Sequence, residues 1–365
     1  MKKDTITPFL DKVKAKPLND KELAQSAIEL AQIILTNSRG QMKLSERYQA
    51  WKMNRMMDDA PGKALTLAMA DQVFRPATHV RSANQFRYLV DEYGVPSYLP
   101  LHEQILMRIG ATVSALAPDI VMPAVTAKMR SESDTVILPS EDDQLKPHLL
   151  KRRKTETRMN INQLGEAILG EEEAAHRLQQ VIERLESPDC EYISVKISAI
   201  FSQINLVSYD HTLTEIKERL RTLYRTAIQH SFVRQDGSKS PKFVNLDMEE
   251  YRDLHLTCDA FKQVLMEEEF MNMRGGIVLQ AYLPDSFEVQ KDLTDWATQR
   301  VSQGGSGVKI RIVKGANLAM ESVEASIHDW PQAPYYTKLD VDANFKRMVH
   351  YGCIPAHAEV VNLGV

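Results

Sequence analysis

The sequence has little cysteine, no marked excess of either charge and no long apolar run, and each shortage excludes something. Its three cysteines, Cys190, Cys258 and Cys353, lie far apart with no C-x-x-C, which argues against a disulfide scaffold or a zinc cage and points to a reducing compartment, the cytoplasm. Against 45 lysines and arginines stand 49 aspartates and glutamates, so the surplus of basic charge that a phosphate-neutralising protein carries is missing and no DNA partner is expected. Nowhere do about 18 apolar residues follow one another, and the basic N-terminus has no apolar h-region; neither a membrane span nor a secretory signal is expected. Also missing are G-x-x-x-x-G-K-[ST], H-E-x-x-H and G-x-S-x-G, which removes P-loop, zincin and α/β-hydrolase chemistries. The one glycine cluster, GGSG at 304–307, precedes a strand-like run instead of following one, so it reads as a turn and not as a phosphate cradle.

What is there suffices for a sizeable core: 43% of residues are hydrophobic and 26% charged, in the globular range. At roughly 150 residues per domain, 365 residues suggest two domains, or one large α/β barrel with an appendage. Residues 1–130 read as an all-helical domain. Asn19 stands three residues before Glu22 at a capping-box spacing, and apolar residues then recur at helical intervals to Gly40. Further helical stretches end at Pro or Gly. Trp51, Met53, Met56 and Met57 lie at helical spacing and are expected to pack in a core. Residues 131–158 are polar and charged with two prolines, a connector; the basic run Lys151, Arg152, Arg153 and Lys154 reads as a solvated helix end.

From residue 159 the pattern changes. β-rich runs near 159–165, 192–200, 242–248, 276–283 and 308–315 alternate with helical ones, including a helix in which Thr212 is expected to cap toward Glu215. Such alternation is the mark of parallel βα units, and five of them at intervals of about 30 to 50 residues favour a (β/α) barrel over a doubly wound sheet. The runs carry polar residues where burial is expected: Lys196 in ISVKIS, Asp247 at the end of FVNLD, Gln280 in IVLQAY, and Arg311 with Lys314 in KIRIVKG. A buried lysine or arginine costs several kcal/mol unless it is paired or holds an anion. These residues are therefore either an internal network filling the barrel or a site. Two or three cations facing one carboxylate and one amide make poor metal ligands and a poor pair of catalytic carboxylates. They suit an anionic substrate beside a polar planar cofactor, with Lys196 on a carboxylate and Gln280 and Arg311 on the edge of a heterocycle.

MNINQLGEAILG (159–170), SVKISAI (194–200), FVNLDMEEYRDL (243–254), IVLQAYLPDS (277–286) and the stretch from IRIVKGANLAM at 310 to APY at 335 resemble, in order, the proline dehydrogenase domain of the bifunctional proline utilization A flavoenzymes. The match runs from about residue 155 to the end, with a weaker match before it, and is closer to the branch without a DNA-binding module. The resemblance implies a (β/α)8 TIM-type barrel and an FAD-dependent oxidation of L-proline to Δ1-pyrroline-5-carboxylate by hydride transfer to flavin, the first step of proline catabolism to glutamate. Electrons would pass to a quinone, reached by peripheral contact with the membrane's inner face. Carried over residue by residue, Lys196 binds the proline carboxylate and Glu166 matches the acidic partner of a substrate-binding arginine. Asp247 holds the hydrogen-bond network beside Arg311, Arg311 bonds the flavin near N5, and Gln280 contacts its pyrimidine edge. Lys314, Gly315 and Ala316 line the FAD, and Met248 touches it through its backbone.

Two departures stand out. Asn317 and Leu318 follow VKGA where the family often has Tyr-Trp. The chain also stops at AEVVNLGV, inside the sixth expected strand, so that residues 159–365 give a barrel of about five and a half strands, short of the family's eight. The last strands, an R-R-x-x-E-N helix and an aldehyde dehydrogenase domain are then expected in a longer polypeptide, and the isolated chain is expected to be a poor enzyme. The competing reading is a catalytically inactive partial barrel serving as an interaction or assembly module; flavin binding separates the two. The sequence leaves open whether the N-terminal helices pack on the barrel or on a second copy in a homo-oligomer.

Overall fold

The computed structural model describes residues 5–133, 138–163, 168 and 170–365. The chain divides into two compact units, residues 1–138 and 139–365, each with a buried core of its own. In the first, every element among the described residues is helical: α1 (Ile6–Lys14), α2 (Asp20–Gln41), α3 (Leu44–Asp58), α4 (Ala60–Ala68), α5 (His79–Tyr93), α6 (Leu101–Val113) and α7 (Pro118–Ser133). The expected capping box starts α2. Asn19 Oδ1 accepts the Glu22 amide at 3.0 Å, and the Glu22 carboxylate accepts the Asn19 amide at 3.1 Å. Each bond satisfies a donor that a helix start leaves orphaned. Leu65, Met69, Val73, Phe86, Leu89 and Met122 form this unit's core.

The aromatic and methionine run of α3 does not join that core. Trp51, Met53 and Met57 are exposed and Met56 is half-buried, correcting the expectation of core packing. The helix is turned so that Lys52 is the buried residue, with its ammonium 2.8 Å from the Glu103 carboxylate. An ion pair has claimed the inward face, and helical periodicity then sends the apolar neighbours outward.

The second unit opens with α8 (Asp142–Arg153), which lies within the stretch expected as connector, followed by β1 (Asn160–Asn162), α9 (Glu171–Glu186) and β2 (Tyr192–Lys196). The β2 run stops at Lys196, because residues Ile197–Ile200 wind into a short helix, α10; α11 (Tyr209–Gln229) follows. Thr212 is not the cap of α11. It is buried within the helix, where its hydroxyl donates to the Asn205 carbonyl at 3.0 Å. A small hairpin, β3 (Phe232–Val233) and β4 (Lys239–Ser240), precedes β5 (Phe243–Asp247), α12 (Leu254–Leu265), β6 (Gly276–Gln280) and α13 (Ser286–Ser302). The chain then forms β7 (Val308–Val313), α14 (Leu318–His328), α15 (Lys338–Gly352), α16 (Pro355–Val360) and β8 (Val361–Gly364).

Six of these strands make one parallel sheet in the order β1-β2-β5-β6-β7-β8. Each strand is added beside the one before it, and the order never reverses. A doubly wound sheet needs that reversal; the wall of a (β/α) barrel does not have it. Among the described residues no pairing joins β1 to β8. Residues Ile193, Val195, Val244, Leu246, Ile277, Leu279, Ile310 and Ile312 are buried in the core that the sheet shares with the helices. Each such side chain contributes about 1.5–3 kcal/mol of burial.

Two buried cations hold the connections. Arg300 is fully buried and donates to the carbonyls of Leu265, Phe270, Met271, Met273 and Ser306, gathering the α12–β6 loop and the turn at 304–307 around one guanidinium. Lys242 is buried just before β5 and donates to the carbonyls of Leu185 and Ser187 at the end of α9. Removing either side chain would leave several buried acceptors without partners. We expect Arg300→Met to lower unfolding stability by about 3–5 kcal/mol in urea titrations; a loss under about 1 kcal/mol would show that the carbonyls find other donors.

Burial pushes the Asp253 carboxyl, at the start of α12, up from 3.8 to about 6, against the pull of Arg252 and with Glu250, Glu249 and Glu321 adding to the rise. The folded state thus favours the neutral acid. Its contribution to stability is complete below pH 3.8 and is lost as pH rises through about 6. Asp253→Asn is expected to match the parent protein in Tm near pH 4 and to exceed it near pH 8. A difference that does not change with pH would exclude this titration.

Candidate active site

Strand geometry places the polar residues together. Side chains alternate between the faces of a strand, and parallel pairing keeps partners on the same face. The register pairs Asn162 with Ser194, Ser194 with Asn245, Lys196 with Asp247, Asn245 with Gly276, and Val278 with Arg311. One face therefore carries Asn160, Asn162, Ser194, Lys196, Asn245, Asp247, Gln280, Lys309 and Arg311. The aliphatic residues described above occupy the other.

At the C-terminal ends of the strands these groups are bonded to one another. Arg311 Nη2 donates to Asp247 Oδ1 at 2.6 Å, Asn245 donates to the same oxygen at 2.8 Å, and Asn162 donates to Asp247 Oδ2 at 3.0 Å. Burial pushes the Asp247 carboxyl above its ordinary range, opposed by the Arg311 guanidinium and by its hydrogen bonds. Lys196 donates to Glu249 Oε1 at 2.8 Å, and Glu249 Oε2 accepts the Ser198 hydroxyl at 2.6 Å. Gln280 is buried; its Nε2 donates to the Met248 carbonyl at 3.4 Å and the Glu249 carbonyl at 3.2 Å. Lys309 lies over the Tyr192 ring, 5.0 Å from its centroid, and burial beside Arg311 and Arg158 holds its ammonium below the ordinary lysine range. On this face Lys196 pairs with Glu249 and Arg311 with Asp247, while Lys309, one layer lower on the sheet, has no ion pair among the described residues. One positive charge is in excess.

The other expected residues lie at the rim. Lys314, Gly315 and Ala316 are exposed; the Lys314 ammonium pairs with Asp342 of α15, and its carbonyl accepts the Tyr282 amide at 2.8 Å. Gly315 has φ +117°, and a Cβ there would lie 1.5 Å from Tyr282 Cδ1. Only glycine lets the backbone pass so close over the ring. Glu166 lies outside the described residues. A cavity of ≈ 170 Å³ lies between α9, α10 and the end of β2, lined by Arg177, Gln180, Val181, Val195 and Ile200 together with Lys196; Asp247, Glu249, Gln280 and Arg311 do not line it. It is smaller than the roughly 300–1,000 Å³ of drug-sized pockets and suits a small metabolite.

Reading single polar residues inside apolar runs found Lys196, Asp247, Gln280 and Arg311 but missed Glu249, Ser198, Asn162, Asn245 and Ser194. A signal for three of them was present: polar residues recur at every second position in NIN, SVK and NLD. Glu249 and Ser198 lie beyond the strand ends, where alternation stops. Asn317, met in sequence as a departure, donates to the Glu249 carbonyl at 2.9 Å.

Two buried polar atoms bear on a cofactor. Gln280 Oε1 and Arg311 Nε have no hydrogen-bond partner among the described residues. One is an acceptor and the other a donor, and such atoms are costly to leave unpaired. Together with the glycine passage at the rim, they fit a planar heterocycle that presents both donors and acceptors along its edge.

Comparisons with known proteins agree with this geometry. The family model of proline dehydrogenase matches residues 145–364, more than half of the chain. The bifunctional protein PutA of Klebsiella aerogenes and that of Escherichia coli K12 are each 29% identical over 147 residues, which is 40% of this chain and 10% of theirs. The chain therefore spans about a tenth of the length of the curated relatives it matches. Proline utilization A from Corynebacterium freiburgense is 41% identical with a TM-score of 0.59, over 74% of this chain and 26% of that one. Proline utilization A from Bdellovibrio bacteriovorus, in a structure inactivated by N-propargylglycine, is 28% identical with a TM-score of 0.60, over 86% and 33%. With the family model matching residues 145–364, more than half of its length and all six strands of the parallel sheet, the chain belongs to the proline dehydrogenase family.

Proposed function

We propose that this sheet forms the flavin and substrate site of an enzyme that oxidises L-proline to Δ1-pyrroline-5-carboxylate, the first step of proline catabolism. The observation that carries the reading is the pairing of an excess positive charge with two buried polar atoms on one face, Gln280 Oε1 and Arg311 Nε, that have no hydrogen-bond partner among the described residues. FAD, when bound, would supply the acceptor for the hydride that leaves the substrate carbon as its CH–NH becomes C=N, the N–H proton passing to solvent. The chain's own residues bind and orient. Gln280 and Arg311 hold the heterocycle's edge, and Arg311 places positive charge where negative charge develops on it. Asp247, fixed by Asn162 and Asn245, keeps Arg311 in that orientation. Lys196 takes the proline carboxylate. Lys314, Gly315, Ala316 and the Met248 backbone line the cofactor, and Glu166 serves the substrate side.

The family resemblance further implies a quinone as electron acceptor and peripheral contact with a membrane, and the three scattered cysteines suit a cytoplasmic setting. No helix among the described residues is long and apolar enough to cross a membrane.

The test is the visible spectrum of the purified chain after FAD is added and the excess removed, followed by anaerobic L-proline. A retained flavin band that bleaches with proline is expected of a working site. Failure to retain flavin would overturn the cofactor assignment. In the intact enzyme, Arg311→Met should slow flavin reduction at saturating proline by about a hundredfold, whereas Lys196→Ala should raise KM by about ten- to a hundredfold with little change in kcat. If neither changed single-turnover reduction, the assignment of both residues would fail. Gly315→Ala should weaken flavin retention, since its methyl group meets Tyr282; unchanged retention would show that the loop can move away.

A further inference from the structure

Glu249 is the residue that the sheet's own logic did not call for. It lies just past β5, it is nearly buried, and four groups from four other segments converge on it. Its carboxylate takes Lys196 from the end of β2 and Ser198 from α10, while its carbonyl takes Gln280 from β6 and Asn317 from the segment after β7. Among the described residues no other carboxylate lies within ion-pairing distance of Lys196.

A lysine head sits on four rotatable bonds, and holding it in one place costs conformational freedom. Here that cost is met before any ligand arrives. One N–H of the ammonium is committed to Glu249 Oε1 and the opposite oxygen is tied to Ser198, so the ammonium is held in place with two N–H groups left to donate. We infer that Glu249, held by Ser198, is a positioning residue that aims Lys196 at the substrate carboxylate. The inference rests on the reading of Lys196 as that carboxylate's anchor.

The experiment measures binding by titration calorimetry to the flavin-loaded protein, with two probes: oxolane-2-carboxylate, a proline-sized ring that cannot be oxidised as an amine, and oxolane-2-carboxamide. The ratio of their affinities reports recognition of the carboxylate alone. Glu249→Ala is expected to lower that ratio by about tenfold, the order of a lysine's frozen rotamer freedom, and to raise the proline KM with kcat little changed. Glu249→Gln keeps an oxygen able to accept from Lys196 and should restore the ratio to within about threefold of the parent. In a Lys196→Ala background, Glu249→Ala should add nothing.

An unchanged or increased ratio in Glu249→Ala, where Lys196→Ala abolishes the preference, would overturn the positioning role while leaving the anchor intact. An unchanged ratio in Lys196→Ala itself would remove the anchor and the inference with it. Should Glu249→Ala lose its flavin band, Ser198→Ala decides, because it frees only the second carboxylate oxygen: a fall of about two- to threefold sustains the inference and no change overturns it.

Discussion

Parallel pairing in register is the constraint on which everything else in the second unit depends. Because side chains alternate with a period of two, a slip of one residue in any strand would exchange its polar and aliphatic faces. Lys196 beside Asp247 and Val278 beside Arg311 are consequences of the ladder, and the ladder is held by the aliphatic side chains on the opposite face. The same residues that give the sheet its hydrophobic stabilisation thus decide which charges meet. The Asp247–Arg311 pair would not be worth forming by itself, since burying two charges recovers little net energy. It persists because the surrounding strands and the amides of Asn162 and Asn245 satisfy it.

The charged groups of this unit divide into two kinds by what they bond. Arg300 and Lys242 donate to backbone carbonyls, close helix ends and loops, and form no ion pair with a carboxylate among the described residues. Lys196, Lys309 and Arg311 share too few carboxylates and retain donors. Barrel folds keep stability and chemistry at opposite ends of the strands. The second group, apart from Lys309 lower on the sheet, follows that rule at the C-terminal end. Burial of a cation is therefore not itself a sign of function; the identity of its partners is.

Much of the second unit was legible in order. Strand runs at 192–196, 243–247, 276–280 and 308–313 fall inside the segments that β-rich composition marked, and helices follow each. The same reasoning failed where a local signal met a tertiary competitor. Thr212 has the spacing of a cap, yet the chain before it turns helical at Tyr209 and draws its hydroxyl inward to Asn205. The α3 run of Trp51, Met53 and Met57 looked like a core stripe, yet a buried Lys52–Glu103 pair oriented the helix otherwise. Apolar spacing alone does not say which of two faces a helix presents when an ion pair spans a long separation in the chain.

The sequence by itself determined the elements, their order and four of the polar residues that meet on the inner face, because hydrophobic periodicity and misplaced charges are properties of neighbouring residues. It also carried the family, through motifs long enough to be recognised in order. Only the tertiary structure decided who bonds whom: that Asp247 belongs to Arg311, that Lys196 belongs to Glu249, and that Gln280 and Arg311 each keep one buried atom unpaired. Those facts depend on strand register and on loops brought together from 53 to 68 positions apart, distances at which no local pattern acts.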